Sequence, residues 1–203
     1  MPNPASLPPH AQAPGTAQAA ETAEALARAL RAGDEAVLGR WYTLEFPAVR
    51  RLCLGFLADS AEADDAAQEA LLRLRRGLPG FDPSRAYGAW RNSLVANLCR
   101  DRLRQAERRR RREQGHAREE ADPGPGLAPL ENAEFEADLC RALAALSPRE
   151  REVFVMIDLE ELEAAQAAEQ LGIEASSLRA YLSLARAKLR ERLRAHAPEG
   201  GSR

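Results

Sequence analysis

Three groups of side chains in this sequence have types and spacings suited to chemistry, and in each case the chemistry is non-covalent. The first is acidic: Asp64, Asp65, Gln68 and Glu69 recur at helical spacing, and a carboxylate face of that kind suits a basic protein surface. The second is Phe81, between Gly80 and Asp82 in a Pro/Gly-rich stretch. A loop aromatic is either a plug for a small core or a platform on which a nucleobase stacks. The third is basic: Arg100, Arg102 and Arg104, then the unbroken run Arg108 to Arg112. A dense single-sign block continuous with an aromatic-bearing helix suits nucleic-acid phosphate. Neutralising about six phosphates in this way makes affinity fall on the order of a thousandfold between about 50 and about 200 mM salt.

Other chemistries find no footing. Cys53, Cys99 and Cys140 are odd in number, widely spaced and set in apolar helical contexts, which suits reduced core thiols rather than disulfides or zinc ligands. His10, His116 and His196 do not cluster with them. With no nucleotide-binding loop and no nucleophile setting, the expectation is a protein that is not an enzyme and has no metal or cofactor. The N-terminus lacks the basic start and apolar run of a signal peptide, and no apolar run approaches the ~20 residues of a membrane span, so a cytoplasmic protein is expected.

The net charge of -2 over 203 residues hides an asymmetry. Arginines crowd residues 100 to 112 and 179 to 194, while acids crowd 62 to 69 and 113 to 138, which implies separate basic and acidic contact surfaces. At 45% hydrophobic but only 5% aromatic residues, the cores fall to Leu, Ala and Val. An all-α fold is expected, in two small helical domains joined by an acidic linker. Residues 1 to 20, rich in Pro, Ala, Gln and Ser, read as a disordered tail. A first domain follows over 21 to 112, the Pro/Gly-rich linker over 113 to 132, a second domain over 133 to 196 and a short tail over 197 to 203.

Within the first domain, Glu21 to Arg31 is helical and ends at Gly33. Asp34 is a candidate N-cap for a helix that Pro47 should kink or restart. On the helix from about Glu62 to Gly77, Ala66, Ala67, Ala70, Leu71 and Leu74 share one face, with Asp64, Asp65, Gln68 and Glu69 opposite. Leu72 falls inside that polar face, as a solitary surface leucine or as an apolar anchor ringed by charge. Leu78 to Ser84 must be a loop, with Ser84 placed to cap the next helix, on which Tyr87, Trp90, Leu94 and Leu98 form one stripe.

The second half is helical again, with Leu139, Leu143 and Leu146 on a stripe. Ser147, Pro148 and Glu150 spell a capping box, worth roughly 1 kcal/mol at the cap. From Leu162 to Leu193 the spacing is that of a helix-turn-helix: Ala168 where two helices meet, Gly172 at the turn, Ile173 as its plug, and Leu178 and Leu182 on the inner face of the second helix. Its outer row is Arg179, Ser183, Arg186 and Arg190. Ser176 and Ser177 stand at the N-terminus, where backbone amides favour phosphate. An amphipathic pair joined by glycine gives the same spacing.

Taken together, the two halves resemble an extracytoplasmic-function sigma factor of the sigma-70 family, over roughly Glu24 to Leu193. The resemblance rests on Asp64-Asp65-x-x-Gln68-Glu69 followed by Leu71-Leu72-Arg73-Leu74, and on Trp90, Leu94, Asn97 and Asp101. In the second half it rests on Leu146 to Glu152 and Ala185 to Arg190. It implies a region 2 domain, a linker and a region 4 domain, acting in promoter-specific transcription initiation. It implies polymerase binding through Asp64, Asp65, Gln68, Glu69 and Leu72. Minus 10 DNA would be contacted by Phe81, Arg85, Asn97, Arg100 and Arg104, with Phe81 capturing an unstacked base. Minus 35 DNA would be contacted by Ser176, Ser177, Arg179, Ser183 and Arg186. The implied partners are core RNA polymerase, promoter DNA and an anti-sigma factor. Two positions that are basic in the family pattern are Tyr181 and Leu184 here, and Ala164 and Ala165 stand where Tyr and Glu are common. These departures leave room for a sigma-like decoy that engages an anti-sigma factor, or a stand-alone helix-turn-helix regulator.

Overall fold

The computed structural model describes residues 16–113 and 133–194. The linker and both chain ends lie outside them, apart from Thr16 to Ala20. Those residues begin helix α1 (Thr16–Arg31), so the first helix starts inside the stretch read as a tail. Its alanines carry the highest intrinsic helix propensity. Gly33, at φ 95°, turns the chain out of α1, and the Asp34 carboxylate accepts from the Ala36 amide to open a 3-10 turn that leads into α2 (Leu38–Leu57).

α2 runs unbroken through Pro47, so the expected restart does not occur. The proline deprives the Thr43 carbonyl of its partner, but Thr43 is exposed, and Trp41 and Val49 on either side are locked into the core. α2 ends at Ala58 in the left-handed region, and Asp59 caps α3 (Ser60–Gly77) by accepting from the Glu62 amide. A 3-10 turn over Leu78–Gly80 leads to the loop before α4 (Tyr87–Glu113). There the Asp82 carboxylate, not a Ser84 cap, organises the chain: it accepts from both the backbone amide and the hydroxyl of Ser84. The bond from the Trp90 amide to the Ala86 carbonyl opens α4 itself.

The alanine and leucine face of α3 meets α2 and α4 in a core where Ala63, Ala66, Ala67, Ala70, Leu71 and Leu74 are fully buried. Alanine on α3 permits close helix approach, and the bulk comes from Trp41, Phe56, Leu52 and Leu98 opposite.

The second half contains α5 (Ala133–Ala144), α6 (Pro148–Phe154) continued by a π-helical turn over Val155–Leu159, α7 (Ala164–Leu171) and α8 (Ala175–Arg192). The capping box closes as its spacing indicates. Ser147 Oγ accepts from the Glu150 amide at 3.3 Å, and Glu150 Oε2 accepts from the Ser147 amide at 2.7 Å. Gly172 makes the turn at φ 62°, with Ala168, Leu171 and Leu178 beneath it. Among the described residues the fold is all-α, without strands.

The two halves also pack on each other. Cys140 and Val155 belong to the core formed by α1 to α4, and Leu139, Phe154 and Leu159 lie against it. Gly55 makes this possible: a Cβ there would stand 2.7 Å from Leu159 and 2.8 Å from Val155. Ala58 in turn joins Leu143, Leu146 and Leu189.

Candidate functional site

The polar face of α3 carries the first candidate surface. Asp65 and Gln68 are exposed, and Leu72 is 59% exposed between them and Arg76. Glu69 is half-buried. It accepts from Arg73 one turn on and, at 2.7 Å, from Arg102 of α4. The Arg102 hydrogen bond holds the Glu69 carboxyl below the usual carboxylate range, so it stays charged.

Asp64 departs from the helix-wheel expectation. It is 6% exposed and turns inward, where it accepts from Arg50 Nε at 2.5 Å. Arg50 also reaches Glu136 of α5 at 2.6 Å and the Ser60 hydroxyl at 2.9 Å. Burial works against the charge on Glu136, but its bonds from Arg50 and Ser60 win and lower its carboxyl. A partly buried network therefore joins α2, α3 and α5.

Phe81 also lies inside. Its ring is 4% exposed, 4.9 Å from Trp90 and edge-on to Tyr87 at 5.8 Å. Of its two possible roles, the structure displays the plug: the ring is buried in one core with Leu78, Tyr87 and Trp41. Trp90 in turn fills the space over Gly77. Around Phe81 the loop leaves Asp82, Ser84 and Arg85 exposed.

Beneath the ring cluster is a polar core that the sequence reading missed. Trp41 Nε1 donates to Tyr87 Oη at 3.0 Å, and the fully buried Glu45 accepts from Arg91 at 3.2 Å. Burial and the Glu45 charge push the Tyr87 phenol up, so it stays neutral. The signal was available: Glu45 sits on the same stripe as Trp41, Val49 and Leu52, where a charge needs a buried partner.

The arginines of α4 divide into two sets. Arg100 leans onto the second half, donating to Glu152 at 2.5 Å with its guanidinium 5.9 Å from the centre of the Phe56 ring. Asn97 is exposed and accepts from Arg100. Arg104 and Arg108 to Arg112 are exposed. Arg73, Arg102, Arg108, Arg109 and Arg112 line a groove of about 620 Å³ between α3 and α4, whose acidic members include Glu62 and Glu69.

On α8, Arg179, Ser183 and Arg190 are exposed in one row, with Ser176 exposed and Ser177 half-buried at its N-terminal end. Arg186 stands in the same row and makes a two-pronged bond to Asp158, at 2.9 and 2.5 Å. Lys188, on the inner flank, closes onto Glu150 of the capping box at 2.7 Å. Among the described residues no group of three or more His, Cys, Asp or Glu side chains could hold a metal ion, and no helix is long and apolar enough to cross a membrane.

Comparison with known proteins matches residues 41–109 to the family described as Sigma-70 region 2 and residues 137–189 to Sigma-70, region 4, together more than half of the chain. The chain is 29% identical over 168 residues to the ECF RNA polymerase sigma factor SigM of Mycobacterium tuberculosis, covering 78% of each chain. It is 28% identical over 173 residues to the ECF sigma factor SigE of Mycolicibacterium smegmatis, covering 82% of this chain and 66% of that one. Two solved structures share the fold. The sigma factor RpoE of Bartonella quintana, in complex with the anti-sigma factor NepR, has a TM-score of 0.56 at 22% identity, covering 79% of this chain and 98% of that one. CnrH, in complex with the cytosolic domain of CnrY, has a TM-score of 0.55 at 23% identity, covering 86% and 99%.

Proposed function

The chain belongs to the sigma-70 family, among its extracytoplasmic-function sigma factors, and from that premise we propose that it binds core RNA polymerase and directs promoter-specific transcription initiation. The observation that carries the proposal is the exposed face of α3, on which Leu72 stands free amid Asp65, Gln68 and Glu69 beside the arginines of α4. An apolar anchor ringed by charge is the anatomy of a protein-docking patch, and the exposed arginines of α4 are of a type suited to promoter phosphates.

In this reading residues 21 to 112 act as region 2 and residues 133 to 196 as region 4. Asp65, Gln68, Glu69 and Leu72 dock on polymerase, with Asp64 bracing the helix from inside. Arg85, Asn97, Arg104 and the run from Arg108 follow the minus 10 region. Arg100 joins them on release from Glu152. Phe81 braces the loop that offers Arg85, and direct base stacking by its ring requires that the ring leave the core. α8 enters the minus 35 major groove through Arg179, Ser183 and Arg186, with Ser176 and Ser177 toward a phosphate. The protein acts in the cytoplasm without catalytic chemistry of its own, and an anti-sigma factor is its third partner.

In vitro transcription with purified core enzyme and a promoter library tests the proposal. Promoter-dependent transcripts that require the protein are expected, and their complete absence sinks it. Tight duplex binding without polymerase would instead identify a stand-alone regulator, and anti-sigma binding without transcription a decoy.

A further inference from the structure

The outer surface of α8 carries more than its arginine row. At about 100° per residue, Leu178, Ala185 and Leu189 form the buried face. Arg179, Ser183, Arg186 and Arg190 form one exposed edge, and Ala180, Leu184 and Ala187 form a strip beside it, all three exposed. Leu184 is 50% exposed. Tyr181, the other uncharged replacement in the family's basic pattern, is half-buried against the core under the turn. Leu184 is therefore the replacement that faces outward, and its neighbours on the strip are small enough to let the helix lie close to a surface.

An apolar strip with arginines along one side fits a partner that sets an anionic ridge beside small apolar groups. The major groove of duplex DNA has that form: phosphate ridges flank a floor whose apolar feature is the thymine C5-methyl group. We propose that Leu184 is a specificity-determining residue that packs on thymine methyl in the minus 35 major groove. Ala180 and Ala187 permit the approach, and Arg179, Arg186 and Arg190 hold the bordering phosphates. The inference rests on the promoter-binding function proposed above and deepens it: the altered recognition helix trades a charged contact for an apolar one, moving preference toward A·T pairs at the positions it covers.

The test uses holoenzyme assembled from the full chain and core polymerase. Minus 35 sequences are selected from a randomised duplex pool, and affinity is measured for the best duplex and for copies in which each minus 35 thymine is replaced by deoxyuridine, which removes the methyl group alone. Loss of about fourfold is expected at one or two positions, the effect of burying one methyl-sized group. Leu184→Ala should erase that thymine preference while thermal unfolding and core association stay unchanged. Arg179→Ala should weaken the thymine and deoxyuridine duplexes alike. Sequence-selective binding that ignores every methyl group overturns the inference and leaves the promoter-binding function standing. Loss of core association in Leu184→Ala also overturns it, by making the strip a protein-docking surface. Absence of any minus 35 selectivity also overturns it, and the promoter-binding function then stands or falls on the transcription test alone.

Discussion

The surfaces proposed for recognition in the two halves are built on different plans. On α8 the core face and the outward face are separate: Leu178, Ala185 and Leu189 are buried, while Arg179, Ser183 and Leu184 point away and bear little of the packing. In the first half, Asp64 and Phe81 are buried, and Arg100 is drawn to Glu152 between the halves. A surface displayed on one face of one helix can vary in sequence at little cost to the fold. A surface assembled from a loop and helix flanks shares its side chains with the core, so loss of binding there is entangled with loss of stability.

The sharpest way to break this comparison is Phe81→Ala. If the ring is a core plug, the variant loses about 3–5 kcal/mol of unfolding free energy, read by urea denaturation. A loss under about 1 kcal/mol would move Phe81 back among the free recognition groups.

Glu160 tests the junction of the halves. Its carboxyl is pushed up to about 7 by burial, against the opposing pull of Arg100 and Arg91, and its Oε1 is buried without a hydrogen-bond partner. Because the folded value is raised, the group's stabilising contribution is fully present below the ordinary carboxylate range and is lost as pH rises through about 7. Glu160→Gln, neutral throughout, should be more stable than the parent at pH ~8 by about 1–3 kcal/mol and nearly equal at pH ~5. Thermal melts at the two pH values check it.

Arg100→Ala removes a half-buried ion pair and should cost about 1–2 kcal/mol, between the limits for exposed and buried pairs. Small-angle scattering should show the halves separating more readily. The smallest stability effect belongs to Leu72→Glu, within about 0.5 kcal/mol for an exposed site, yet it should abolish co-purification with core polymerase. Retained association would remove α3 from the proposed docking surface.

Much of the fold was legible because its determinants are local. The Ser147 and Glu150 capping box, the Gly172 turn and the Tyr87 to Leu98 stripe are each set by residues within a few helical turns of one another, and each stands where its spacing indicates. The burial of Asp64 was not legible. The wheel gives its angle, but its partner Arg50 comes from α2 and is itself tied to Glu136, 86 residues further along the chain. The pattern indicates two helical domains and is silent on their contact; they meet because Gly55 leaves room for Val155 and Leu159, a clearance no single helix pattern announces. On α8 the outward candidates were readable because one helix supplies them all. The loop at Phe81 left two roles open, because only the three-dimensional neighbours of the ring decide between them.

Lys188 is the sole lysine of the chain, and it closes onto Glu150 where α8 meets the start of α6. Every other basic side chain in the proposed recognition surfaces is a guanidinium, inert to ordinary acylating reagents. An amine-reactive label therefore has one side-chain target, beside the inner flank of α8 and clear of its arginine row. A protease that cuts after lysine has one cleavage point, inside that same helix. The Lys188 side chain is 41% exposed even while paired, so the label reaches the closed state, whereas cleavage requires the helix to unwind locally, and its rate on the native protein is a clock for that opening.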